Sequence, residues 1–162
     1  DYLNRELFMN HEISIRKATS ADVDKIVRLS NAGGPGGKPR KDLPDVLPDV
    51  YFQAFQRIQN DANQFLMVAE SGANIVGTFH VTYLTYLPAA GQEDCQVENV
   101  HVRDDWRGKG FGTLMMRWVI DEASKRGCRR VQLTTDKTRK DAHRFYERLG
   151  FVMSHEGAKY TL

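Results

Sequence analysis

Three glycines at alternate positions, Gly108, Gly110 and Gly112, stand between an alternating apolar run that ends near Val102 and a helical pattern that begins at Phe111. Such a turn bends tightly and lets a ligand approach the backbone, where any Cβ would hold it off. Its amides sit at a helix N-terminus, whose unpaired N–H groups and positive dipole end suit an anion. Phosphate fits that chemistry. A Walker A loop does not fit, because Lys109 falls between Gly108 and Gly110 and the metal-binding hydroxyl is missing from its place. The dinucleotide fingerprint also fails: its third glycine would come one residue later, and the unit lies past mid-chain.

What remains, Arg107-Gly108-Lys109-Gly110-Phe111-Gly112, fits the pattern Arg/Gln-x-x-Gly-x-Gly and resembles the acetyl-CoA pyrophosphate loop of the GNAT N-acetyltransferases. A second stretch, from Asp141 to Phe151, is similar to that family's Ala-x-x-x-Tyr-Glu-x-x-Gly-Phe signature, with Ala142, Tyr146, Glu147, Gly150 and Phe151 in the matching places. The likeness covers the C-terminal half of the chain; the N-terminal half matches only in its order of elements. It implies an α/β (α+β) GNAT fold, a mixed and mostly antiparallel central sheet of six to seven strands with helices on both faces. It also implies acetyl-CoA as cosubstrate and an amine as acceptor.

Amine acylation sets its own demands. A lysine-like amine of pKa near 10.4 is about 99.9% protonated at neutral pH, and an ammonium has no lone pair to attack a thioester. Removing the proton costs roughly 4 kcal/mol over about three pK units, and the departing thiolate must then be protonated. Glu98 is the candidate base, on the strand that feeds the glycine turn; strict alternation puts Gln96, Glu98, Val100 and Val102 on one face. In the resembled family a carboxylate or histidine at this place often serves as base, in some members through water. The alternative is that Glu98 only anchors the substrate ammonium or a loop. His101 has a suitable pKa, but its parity places it opposite unless a bulge intervenes. Gln96 cannot be a base, and His80 and Tyr83 are further candidates on the preceding strand. Tyr146 is the candidate acid, a phenol competent to protonate a thiolate, and the resemblance implies that role.

By the same resemblance, backbone groups of Val100, His101 and Val102 receive the pantetheine arm and the acetyl carbonyl. The amides of Arg107, Gly108, Lys109, Gly110, Phe111, Gly112 and Thr113 take the pyrophosphate, with Arg107 and Lys109 adding charge. One departure stands out: many family members carry Asn three residues before the signature alanine, whereas this chain has Arg139. Lys140 or Asp136 would have to replace that contact. The five histidines are scattered without ligand spacing, so no metal site is expected. No nucleophilic Ser or Cys elbow is present, which points to direct transfer.

The elements that hold these groups read in order. Ile13–Ala18 alternates as a strand, Thr19 or Ser20 caps a short helix over 21–31, and six glycines and prolines within 32–40 make an irregular loop. Leu47, Tyr51, Phe55 and Ile58 recur at helical spacing, and in the resembled family these two helices and their loop wall the acceptor site. Gln64–Glu70 and Ile75 to about Leu87 form a hairpin, and Gln96–Arg103 leads into the turn. Phe111, Leu114, Met115, Trp118, Val119 and Ala123 make a core-facing stripe that ends at Gly127. Arg130–Thr135 is a strand, Lys140–Leu149 a helix, and Phe151–Met153 with Ala158–Leu162 a last hairpin. Lys125, Arg126, Arg129 and Arg130 read as a solvated helix end.

The bulk properties agree. A chain of 162 residues with net charge +2, 41% hydrophobic and 27% charged residues describes an ordinary globular domain rather than a nucleic-acid binder. Cys95 and Cys128 lack metal or disulfide spacing, which suits a reducing cytoplasm. No apolar run reaches the ~18 residues of a membrane span. Residues 1–10 read as an appended or disordered extension and 11–162 as one domain. The expected acceptor is a small primary amine, with protein or peptide amines as one alternative and a non-catalytic acyl-CoA-binding module as another. The resemblance leaves a homodimer open.

Overall fold

The computed structural model describes residues 13–33 and 38–162. The expectation for residues 1–10, and the centre of the glycine- and proline-rich loop, lie outside these. Two compact units are present, the first ending at Gln132 and the second formed by Leu133–Leu162.

The first unit is built on a sheet of order β1-β2-β3-β4-β5, with β1 Ile13–Lys17, β2 Gln64–Ser71, β3 Asn74–Thr85, β4 Glu93–Val102 and β5 Val131–Leu133. Strands β1 to β4 pair antiparallel with their neighbours. Strand β5 follows β4 by way of a helix, the crossover that a parallel neighbour needs. Helices α1 (Val23–Ala32) and α2 (Asp49–Gln59) pack on one face, where Val23, Ile26 and Phe55 meet Ala18, Val68 and Ile75. Helix α3 (Phe111–Arg126) covers the other: Trp118 stacks edge-on against Phe79 at 5.7 Å, and Met115 lies so near Gly77 that a Cβ there would come within 2.5 Å of its sulfur. Period 2 in the strands and period 3.6 in the helices thus meet on each face of the sheet.

The start of α1 differs in detail from the expectation. Thr19 precedes a short 3-10 turn, and the Asp22 carboxylate accepts from its N–H at 2.7 Å and its hydroxyl at 3.0 Å. Arg16 holds the same carboxylate, donating at 2.7 and 3.1 Å, and also reaches Glu70. Further on, the chain is tied back to α1. Asn31 donates to the Lys41 carbonyl at 2.8 Å and accepts from its N–H at 3.1 Å, and Arg28 donates to the carbonyls of Pro44 and Asp45.

Two expectations are corrected. Five strands form among the described residues, not six to seven. The C-terminal hairpin is absent, since residues 151–162 hold no strand, and Val152, Tyr160 and Leu162 are exposed; a lone hairpin with its apolar side chains in water has nothing to stabilise it. The basic cluster at the end of α3, Lys125, Arg126, Arg129 and Arg130, is exposed as expected, but its arginines are also paired. Arg129 donates to both oxygens of Asp94 at 3.0 Å, Arg130 to one at 2.9 Å, and Arg126 to Glu93 at 2.6 and 2.9 Å. Asp94 has no exposed surface. Burial alone would raise its pKa, but the Arg130 and Arg129 guanidiniums offset this and the net direction is down.

In the second unit α4 spans Lys140–Arg148, and Gly150, at φ +96°, follows its end in the left-handed region.

Candidate active site

Strand β4 is not regular. His80 pairs with Glu98 and Thr78 with His101, so between these pairs one residue of β3, Phe79, faces two of β4, Asn99 and Val100. Asn99 takes up the extra residue at φ +52°, a left-handed conformation that Asn tolerates better than most non-glycine residues. Face parity therefore flips. Glu98 and His101 share the α1/α2 face with His80 and Thr78, while Val102, opposite Gly77, turns to the α3 face. This corrects the expectation that Glu98, Val100 and Val102 share one face, and it supplies the bulge on which His101 depended.

The Glu98 side chain is exposed and opens to solvent on this face. His80, directly across from it, is half-buried, and its Nε2 is buried without a hydrogen-bond partner among the described residues. Burial lowers the His80 pKa, against the opposing pull of the Glu98 and Asp61 charges. The His101 ring packs at the C-terminal end of α1: a Cβ on Gly33 would lie 2.9 Å from its Nδ1. Tyr83 is not part of this group. It pairs with Cys95 on the α3 face, its ring under the Arg126 guanidinium at 3.9 Å, and burial pushes its phenol up to about 12. A cleft of about 560 Å³ between Phe65, Tyr83 and Trp118 lies on that same face.

The glycine turn follows β4 as expected. Gly108 and Gly110 sit at φ +73° and +86°, and a Cβ built on either meets no atom within 4 Å, so the turn is open rather than plugged by its own side chains. Gly110 is the N-cap of the 16-residue α3 and no side chain caps it, which leaves the first-turn amides to an outside acceptor. Phe111 anchors the turn from below, buried and edge-on to Trp106 at 5.0 Å. The cations are partly engaged. Arg107 pairs with Asp104 at 3.1 Å and donates from Nε to the Val102 carbonyl at 3.3 Å, and Lys109 lies 5.2 Å over the Trp106 ring. Thr113 and Gly110 border a second cleft of about 470 Å³. These residues suit the diphosphate of an acyl-CoA in chemistry and in space.

In the second unit Tyr146 is half-buried, edge-on to Phe145 at 5.0 Å and to Phe151 at 5.7 Å. Burial raises its pKa, with Arg139 opposing. The Asp136 carboxylate is spent on its own loop, accepting from the N–H of Thr138 at 2.8 Å and its hydroxyl at 2.6 Å. Lys140, the other candidate, is exposed at the start of α4.

Sequence reasoning passed over the burial of Asp94 and raised a bulge only as the condition on which His101 depended; its place at Asn99 comes from the pairing of β3 with β4.

Comparison with known proteins completes the picture. The model of the Acetyltransferase (GNAT) family matches residues 29–151. The crystal structure of a transcriptional regulator from Bacillus halodurans C-125 is similar at 41% identity and a TM-score of 0.86, over 93% of this chain and 100% of that one. The aminoalkylphosphonate N-acetyltransferase of Salmonella typhimurium is 35% identical over 60 residues, 37% of this chain and only 39% of that enzyme's length. The L-methionine sulfoximine/L-methionine sulfone acetyltransferase of Pseudomonas paraeruginosa is 26% identical over 144 residues, 87% of this chain and 81% of that one. With the family match running from within α1 through the glycine turn to Phe151, the chain belongs to the GNAT acetyltransferase family.

Proposed function

We propose that this chain is an acetyl-CoA-dependent N-acetyltransferase that acts on the primary amine of a small molecule, with residues 11–162 as its catalytic domain and the cytoplasm as its place of action. The observation that carries the reading is the open, uncapped glycine turn at the head of α3, directly after the strand that bears Glu98. Bound there, acetyl-CoA would supply an activated acyl carbon. The amides from Arg107 to Thr113 would hold its diphosphate, and backbone groups of Val100, His101 and Val102 would align the arm.

Glu98, exposed on the α1/α2 face, takes the proton from the acceptor ammonium, directly or through water. Tyr146 donates a proton to the leaving thiolate; a phenol kept protonated by burial suits a donor. A small amine is favoured by the two relatives named as acetyltransferases of small molecules.

The test is a panel of amines assayed for thiol release from acetyl-CoA, beside a thermal-shift titration with acetyl-CoA. Thiol release with a small amine and not with peptides is the expected result. A second reading is a regulatory acyl-CoA-binding module, favoured by the solved relative described as a transcriptional regulator. A thermal shift without thiol release from any amine would select it.

A further inference from the structure

Strand β3 brings an unclaimed base to the site. His80 stands directly opposite Glu98 in the β3–β4 register, a placement that brings opposed Cβ atoms to about 4.5–5.5 Å. Its Nε2 is fully enclosed and has no hydrogen-bond partner among the described residues. A buried imidazole nitrogen without a partner is costly, and in native structures it marks an ordered water or a catalytic duty. His80 Nε2 makes no direct bond to the Glu98 carboxylate, so a single water between carboxylate and ring would satisfy both.

Charge on this face is lopsided. Glu98 on β4 and Asp61 in the α2–β2 turn act on His80. Asp61 is occupied by the Asn63 N–H at 2.8 Å and Gln64 Nε2 at 2.8 Å, and His101, two places further along the face, is held against Gly33. Of the groups facing His80, Glu98 alone is both open to solvent and directly across from the ring.

We propose that His80 is the terminal proton acceptor for the attacking amine, acting through Glu98. The ammonium N–H bond breaks and its proton passes to the Glu98 carboxylate, leaving the lone pair on nitrogen. The carboxyl then gives the proton, across the bridging water, to the imidazole of His80, and Glu98 returns to a carboxylate. Imidazole is the stronger base of the two kinds of group, so this second transfer empties Glu98 for its next use. The imidazolium releases the proton to solvent after turnover. Burial lowers the pKa of the ring, against the pull of Glu98 and Asp61, and so favours its neutral form before the transfer. His80 touches no reacting atom and is a positioning residue.

The inference rests on the acetyltransferase reading, and its test separates the two. Wild type, His80→Gln and Glu98→Gln are compared by kcat against pH with an accepted amine, by acetyl-CoA thermal shift, and by ¹⁵N-histidine NMR titration. His80→Gln is expected to keep the Tm and the acetyl-CoA shift, to lower kcat about tenfold or more, and to remove one ionisation from the acid limb. In Glu98→Gln the His80 titration midpoint is expected to fall. A wild-type acid limb in His80→Gln, a loss of activity that only tracks a loss of Tm, or an unmoved His80 midpoint would each overturn the proposal. Wild-type protein that shows the NMR coupling but acetylates no amine would overturn it through the functional reading instead, a different signature.

Discussion

The ring of His101 rests against Gly33, at the end of α1, so closely that a Cβ on the glycine would stand 2.9 Å from Nδ1 and 3.0 Å from Cε1. Gly33 has an ordinary φ of −80°, so Gly33→Ala tests this contact without backbone strain. We expect overpacking of about 1–3 kcal/mol, a fall in Tm of roughly 2–10 °C in a thermal scan. An unchanged Tm would mean that the ring yields freely.

Glu98→Gln keeps the size of the side chain and removes its basicity. The expected loss in kcat is about 10²–10⁴-fold, with the acetyl-CoA thermal shift retained. Full activity in a thiol-release assay would leave Glu98 as an anchor only.

Tyr146→Phe keeps the ring contacts with Phe145 and Phe151 and deletes the hydroxyl. The fold should survive by circular dichroism while turnover drops. Wild-type kcat in the variant would rule out the acid role.

Asp94→Asn leaves two guanidiniums beside a buried neutral amide. We expect a loss of about 2–3 kcal/mol, at or below the low end of broken buried pairs because Arg130 is half-exposed. Urea unfolding gives the number, and a cycle with Arg129→Gln should show coupling of about 1 kcal/mol or more.

Asp22 sets an acid limit. Hydrogen bonds from Arg16 hold its carboxyl at about 2, below the ordinary 3.8. A carboxyl depressed in the folded state contributes its stability above the unfolded pKa and loses it as pH falls through the folded one. The gap in urea midpoint between wild type and Asp22→Asn should thus be flat above about pH 4 and close towards pH 2. Its full size is about 1–2 kcal/mol, discounted because Arg16 is partly exposed. A gap that widens on acidification would contradict the assignment.

The elements that bind the backbone were legible because they carry redundant signals. The glycine turn, the stripe from Phe111 to Ala123 and the Gly127 cap each follow from local chemistry, and each formed as read. What was not legible depends on neighbours. The Asn99 bulge appears only when β4 is laid against β3, and one residue of slip moved His101 onto the face of Glu98. Asp94 reads as a surface acid until Arg129 and Arg130 arrive from 35 and 36 residues away. The failed C-terminal hairpin is the reverse case, since its alternation was present but nothing in the second unit covers Val152 or Tyr160.

The ties from Asn31 and Arg28 to the stretch around Lys41 and Pro44 have an evolutionary corollary. Because α1 holds the chain where it resumes, at Lys41, Pro44 and Asp45, residues can be added or lost upstream of Lys41 without displacing α2. Length changes upstream of Lys41 are then the ones the fold absorbs most readily, provided Asn31 and Arg28 are carried along unchanged.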